Sequence, residues 1–149
     1  SLLHASMYAP SAVNRQPWHF VVIDQRGMMD RIMEIHPHAR MLQTASHAVV
    51  VCGDELLQHD DGYWVVDCGA ATQNLLLAAH GLGLGAVWTG IWTRDDRVAG
   101  FRKLFGVDNL SEPGSALKTH RQWPFPVQQK TANGGGGDGD AIHTTQGGR

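Results

Sequence analysis

Residues 64–92 read WVVDCGAATQNLLLAAHGLGLGAVWTGIW. The first two thirds are helical in character and apolar almost all round, through Val65, Val66, Ala70, Ala71, Leu75, Leu76, Leu77, Ala78 and Ala79. A helix with no broad polar face belongs in the middle of a protein or between two subunits. Asp60 or Asp61 stands where its N-cap would be, and Gly81 stops it after about His80. The run Gly81-Leu82-Gly83-Leu84-Gly85 then leads into a strand predicted over Ala86–Ile91. Glycines so spaced suggest a dinucleotide loop, but that loop needs the order strand, glycines, helix, so that phosphate meets a helix N-terminus. Here the order is reversed, and a phosphate would face the negative end of the helix dipole. The glycines therefore read as a helix end and a tight turn. Asp67, set among apolar neighbours, reads as an acceptor of hydrogen bonds from a neighbouring loop or subunit rather than as a catalytic acid.

Toward the N-terminus, His47–Gly53 (HAVVVCG) is a nearly all-apolar strand of the kind covered on both faces. Met28–Ile35 is a short helix with Met29, Ile32 and Met33 on one face, and Trp18–Ile23 is a strand rich in aromatic and β-branched residues. Leu2–Tyr8 reads as the tail of a helix that Pro10 ends. Between Pro10 and Pro17 lies a polar loop carrying hydroxyl, amide and guanidinium groups, stiffened at both ends by proline. Such a loop suits a ligand with many hydrogen-bonding atoms, although an ordinary Ser/Asn turn explains it equally well. A second candidate is Trp88-Thr89-Gly90-Ile91-Trp92, where Gly90 permits close backbone approach to a flat ligand and offers its N–H.

Toward the C-terminus, Asp95 or Asp96 caps an amphipathic helix with Val98, Phe101, Leu104 and Phe105 facing inward and Gly106 as terminator. Glu112–Arg149 has no sustained period, and Gly134–Gly137 sits in a tract almost without large aliphatic side chains. Residues 1–110 are therefore expected to form one domain. Residues 111–149 read as a disordered tail or the product of a shifted reading frame.

The 149 residues suffice for one domain, and a net charge of -2 argues against a nucleic-acid surface. No run approaches the ~18 apolar residues of a membrane span, and no secretory signal is visible at the start. Cys52 and Cys68 make no disulfide framework; buried, reduced thiols and a cytoplasmic home are expected. Among nine histidines, His36 and His38 flank Pro37 and His47 opens a strand, but no HExxH or cysteine pair accompanies them. Surface or capping roles are expected for them, and no metal. No G-x-S-x-G elbow occurs.

The stretch APSAVNRQPWHFVVID, residues 9–24, resembles the first signature of the nitroreductase family of flavoenzymes, a P-S-x-x-N-x-Q-P-W loop leading into a strand. Residues 64–92 resemble its second, a D-x-(small)-A-x-Q-N helix followed by GLG, a strand and a glycine loop. The run His36–Leu42 and the HAVVVCGDE strand fall between them in order, and the resemblance covers Leu2 to Val107. It implies an α+β fold: a three-layer α/β/α sandwich with a central mixed sheet, incomplete at both ends of this chain. It further implies a homodimer with FMN at each interface. Carried over, Pro10, Ser11, Ala12, Asn14 and Gln16 would touch the FMN, from the subunit opposite the one supplying the glycine loop. Thr89 and Gly90 would lie against the isoalloxazine ring, with Trp88 also in the cofactor site and the Gly90 N–H directed at flavin N5, which makes Gly90 the catalytic position. The implied chemistry is reduction of the flavin by NAD(P)H, then its reoxidation by a small oxidant such as a nitroaromatic or a quinone.

Two family features have no counterpart here: a basic Arg-Arg-Ser-x-Arg segment that holds the FMN phosphate, and a closing strand with an I-G-Y-P-like turn. Arginine–phosphate pairs are among the stronger polar contacts. Arg15 and Arg40 are the remaining candidates, Arg40 reading more simply as a surface residue. A missing strand would leave a sheet edge open. A second reading is therefore a non-catalytic remnant serving as a structural or interaction module, and a third is FMN chemistry of another kind, such as dehalogenation.

Overall fold

The computed structural model describes residues 2–106 and 121–129. In chain order the elements are α1 (Leu2–Ser6), β1 (Trp18–Ile23), α2 (Arg26–Ile35), β2 (His47–Gly53), α3 (Tyr63–Gly81), β3 (Leu84–Ala86), α4 (Asp95–Phe105) and β4 (Arg121–Gln129). Short 3-10 turns lie at Ala12–Asn14 and Arg40–Gln43.

Successive side chains of a strand point to opposite faces, and in β2 both faces are buried. Ala48, Val50 and Cys52 enter one apolar core with Met29 and Ile32 of α2, Phe101 of α4 and Ile91. Val49 and Val51 enter a second core with Trp64, Cys68, Ala71 and Leu75 of α3. The result is the expected α+β arrangement of three layers, α2 and α4 on one side of the sheet and α1 and α3 on the other. Fully burying a side chain such as Ile32 or Leu75, each 0% exposed, contributes about 1.5–3 kcal/mol.

The sheet order is β1-β2-β4-β3, and every pairing among the described strands is antiparallel. A mixed sheet was expected. A parallel pair needs a crossover connection, whereas the segment carrying α2 returns the chain alongside β1 in the opposite direction, with Trp18 opposite Gly53 and Ile23 opposite Ala48.

Three other expectations are corrected. The third strand ends at Ala86, where it was expected to begin. Gly83, at φ 74°, makes the turn early, and the chain then leaves the sheet as an irregular strap. Neither Asp60 nor Asp61 caps α3 with its side chain; the N-cap is Gly62 at φ 85°, a left-handed conformation that suits glycine. Finally, the extension expected to lack regular structure contributes β4 to the sheet, paired with β2 from Arg121 to Val127. Pro124 and Pro126 hid it, because proline cannot donate to a ladder. Both fall where β4 has β2 on one flank only, since β3 meets it at Val127–Gln129. The remainder of residues 111–149 lies outside the described residues.

α3 is apolar all round, as expected, yet the described residues cover only one side: Val66 and Leu77 are 67% and 61% exposed. Gly106, at φ 69°, ends α4 in the left-handed conformation expected of it.

Candidate functional site

The loop from Pro10 to Pro17 is held in a costly shape. Val13, Asn14 and Gln16 have φ of 43°, 56° and 49°. Left-handed conformations cost non-glycine residues roughly 1–2 kcal/mol each, and a β-branched residue such as Val13 is the least suited. Local hydrogen bonds oppose that strain. The Asn14 and Arg15 N–H groups donate to the Ser11 and Ala12 carbonyls, both at 3.0 Å. The Gln16 N–H donates to Ser11 Oγ at 2.9 Å, and Gln16 Nε2 to Asn14 Oδ1 at 3.2 Å. The loop is tied to the body of the fold by Asp67 of α3, whose Oδ1 accepts the Ala12 N–H at 3.0 Å. This is the role expected of Asp67, which is 4% exposed. Its Oδ2 is buried without a hydrogen-bond partner among the described residues.

The backbone is thus fixed while most of the candidate side chains face outward. Asn14, Arg15 and Gln16 are exposed, Ser11 and Ala12 half-buried, and Pro10 exposed. Ser11 Oγ uses a lone pair on Gln16, which leaves its O–H proton to donate. Arg40 is exposed at the start of its 3-10 turn.

The second candidate lies in the strap between β3 and α4. Gly90 is exposed, and nothing stands within 4 Å of the place a Cβ would occupy. Thr89 and Ile91 on either side of it are buried, at 8% and 0% exposure, so the strap presents its backbone outward at the glycine. Trp88 runs back against α3, its Cη2 3.6 Å from where a Cβ on Gly69 would lie, and Trp92 meets Trp64 edge-on with ring centroids 5.4 Å apart. The Gly90 carbonyl accepts from Arg97 Nη1 and from His36 Nε2, each at 3.0 Å.

His36, for which a surface or capping role was expected, is the C-cap residue of α2 and is buried, at 2% exposure. The His38 N–H donates to its Nδ1 at 3.2 Å, so the proton resides on Nε2 and points at Gly90. Burial and then the Arg97 guanidinium hold His36 below the ordinary histidine range. Neither His36 nor Arg97 was legible as a site residue; the HPH turn between apolar Ile35 and Ala39 was the only signal.

Asp67 holds the first loop and Gly69, two positions on, receives Trp88 of the second. Two positions on a helix are separated by about 200°, so the two loops attach to different sides of α3. Burial pushes the Cys52 thiol up to about 12 and raises Cys68 as well. Both are free and buried, and neither supplies a nucleophile.

A sequence profile of the nitroreductase family matches residues 1–59 and 48–117. A protein of Methanothermobacter thermautotrophicus, provisionally named NADH dehydrogenase/NAD(P)H nitroreductase, is 48% identical over 116 residues, 78% of this chain and 61% of its own. The chain thus spans about three fifths of the length of the curated relatives it matches. The crystal structure of a similarly named protein from Parabacteroides distasonis superposes with a TM-score of 0.72 at 35% identity, covering 95% of this chain and 78% of that one. A nitroreductase from Desulfovibrio desulfuricans, solved in complex with FMN, gives 0.68 at 26% identity, over 95% of this chain and 77% of that one.

Proposed function

The chain belongs to the nitroreductase family, and from that premise we propose that it carries the flavin-holding part of an FMN-dependent oxidoreductase. Its hydride donor is NADH or NADPH and its oxidant a small molecule such as a nitroaromatic or quinone. The observation that carries this reading is the Pro10–Gln16 loop: three left-handed non-glycine residues fastened to a buried carboxylate. Strain of this kind clusters at ligand clamps.

The residues present fit FMN. Ser11, Asn14, Arg15 and Gln16 offer donors and acceptors of the kind that a polar flavin edge and its ribityl chain require. The space that a Cβ would fill at Gly90 is free for a flat ring. Bound FMN would supply a reversible hydride acceptor at N5. Pro10, Ala12, Trp88 and Thr89 shape the two walls, and the Gly90 N–H is the donor held against the ring. Arg15 is the better of the two arginines for the phosphate, since it sits in the clamp itself.

A second copy completes the site in this reading. The uncovered side of α3, with Tyr63, Val66 and Leu77 exposed, supports a homodimer in which each clamp faces the partner's strap. No helix among the described residues is long and apolar enough to cross a membrane, and the free buried thiols support a cytoplasmic location.

The experiment is an FMN titration by fluorescence quenching, followed by anaerobic addition of NADH or NADPH. Saturable quenching and bleaching of the flavin are expected, with Ser11→Ala and Asn14→Ala weakening the first, and Gly90→Ala weakening it without loss of thermal stability. A colourless protein that quenches no FMN would overturn the reading in favour of a non-catalytic module.

A further inference from the structure

The strap at Gly90 is held from behind by more than its turn requires. The chain reversal there is already closed by the Arg94 N–H on the Ile91 carbonyl at 3.1 Å. Yet the neighbouring Gly90 carbonyl takes two further donors, from the turn after α2 and from the first turn of α4. The proton inventory makes this a directed arrangement. With Nδ1 of His36 engaged as acceptor by the His38 N–H, its Nε2–H has one acceptor in reach among the described residues, the Gly90 oxygen. Arg97 Nη1 stands 3.3 Å from that same Nε2. Both are donors, so they are not partners of each other but converge on one oxygen. A second proton on His36 would set an N–H against the His38 amide and a cation beside Arg97.

On its other side Gly90 is exposed and unfilled. Glycine has the widest backbone freedom of any residue, so a solvent-facing glycine has no direction of its own. Its carbonyl lies in the peptide plane that follows its Cα and its N–H in the plane that precedes it, so holding the carbonyl fixes the following plane, and with Thr89 buried on the preceding side the rotation left to the N–H is small. We propose that His36 and Arg97 are positioning residues that aim the Gly90 N–H at the ligand from behind, through the Gly90 carbonyl. The proposal rests on the flavin reading of the strap.

The test compares His36→Leu and Arg97→Met, which keep bulk and lose the donor, with His36→Gln and Arg97→Lys, which keep a donor on a side chain of similar reach. In flavin-free protein, NMR order parameters at the Gly90 amide report its rigidity. The wild type is expected near about 0.85, and the Leu and Met variants below about 0.6. In FMN-loaded protein, bleaching by the nicotinamide donor is expected to slow about tenfold in the Leu and Met variants. FMN affinity should stay within about threefold of the wild type, and the Gln and Lys variants should recover most of the rate. A merely structural role would lower affinity and melting temperature together and show no recovery by the conservative pair. Should a Leu or Met variant fail to fold, the Gln and Lys variants carry the test: a flexible Gly90 amide in both, with an unchanged bleaching rate, overturns the proposal. A wild type that takes up no FMN refutes the flavin reading itself. A wild type that takes up FMN while the Leu and Met variants keep a rigid Gly90 amide and the wild-type rate refutes the positioning role alone.

Discussion

Replacing Asp67 by alanine should loosen the clamp far more than it weakens the ligand. Three left-handed residues cost the loop roughly 3–6 kcal/mol, and Asn14 tolerates the conformation best of the three. The four hydrogen bonds within the loop return about 1 kcal/mol each. Strain and local bonding therefore nearly cancel, and the margin is the charge-assisted bond from the Ala12 N–H to Asp67, on the order of 2 kcal/mol. Two kcal/mol is a factor of about thirty in the closing equilibrium. In Asp67→Ala the opening constants at the Asn14, Arg15 and Gln16 amides, read by hydrogen exchange, should rise about thirtyfold. Affinity follows the closed fraction, which falls only from nearly all to about half, so the Kd for FMN should rise only about twofold. Asp67→Asn keeps a carbonyl acceptor and loses the charge, so its opening constants should rise about fivefold, for a loss near 1 kcal/mol. Global stability should hardly change, because the variant also relieves a carboxylate whose Oδ2 is buried and unpartnered. If exchange changed only at Ala12, with the next three amides as protected as before, the loop would not depend on α3 and the reasoning would fail.

His36 makes stability depend on pH. Its proton affinity in the fold is lowered by burial and Arg97, so the unfolded chain takes up a proton first as pH falls. The stability it contributes is present above the ordinary histidine value of about 6.5 and is lost as pH drops through the folded value. Urea titrations across that range should show a decline that His36→Gln flattens; an identical decline in the variant would clear His36 of the effect. Gly53→Ala should cost about 3 kcal/mol or more, since its Cβ would run into the Trp64 ring, itself 1% exposed with no room to move. Gly27→Ala in α2 meets nothing within 4 Å and should instead stabilise by about 0.5–1 kcal/mol; equal urea midpoints for the two would contradict both. Leu77→Glu on the uncovered side of α3 should convert the proposed dimer to a monomer in sedimentation and reduce FMN uptake with it; a monomeric wild type would refute the dimer.

The sequence was legible where one kind of local signal acted alone. β1 and β2 begin and end at the residues expected, because the aromatic and β-branched run of β1 starts directly after Pro17 and the apolar run of β2 closes on Gly53. β3 was displaced because glycines both end α3 and start the strand, and the residue pattern does not say which glycine turns the chain. β4 was concealed by two prolines, which a strand tolerates only where one flank is free, a fact of tertiary pairing. The clamp was legible as a stiff polar loop, and its bond to Asp67 was anticipated in kind. The donors behind Gly90 were not. His36 and Arg97 are 61 residues apart and meet only once α2, the strap and α4 are packed.

What the sequence could not convey about Asp67 is why α3 tolerates it. It is the only acidic residue between Tyr63 and Gly81, in a helix whose other inward residues include Trp64, Cys68, Ala71 and Leu75. A buried carboxylate loses several kcal/mol of hydration, and one accepted N–H returns only part of it. An apolar residue of similar size would fill the same space without that loss. The core therefore has no use for the charge, and among the described residues the group that gains from it is the Ala12 amide of a loop that would otherwise relax out of its left-handed turns. The cost of the charge at that position is thus matched by the shape of the loop that carries Ser11, Asn14 and Gln16.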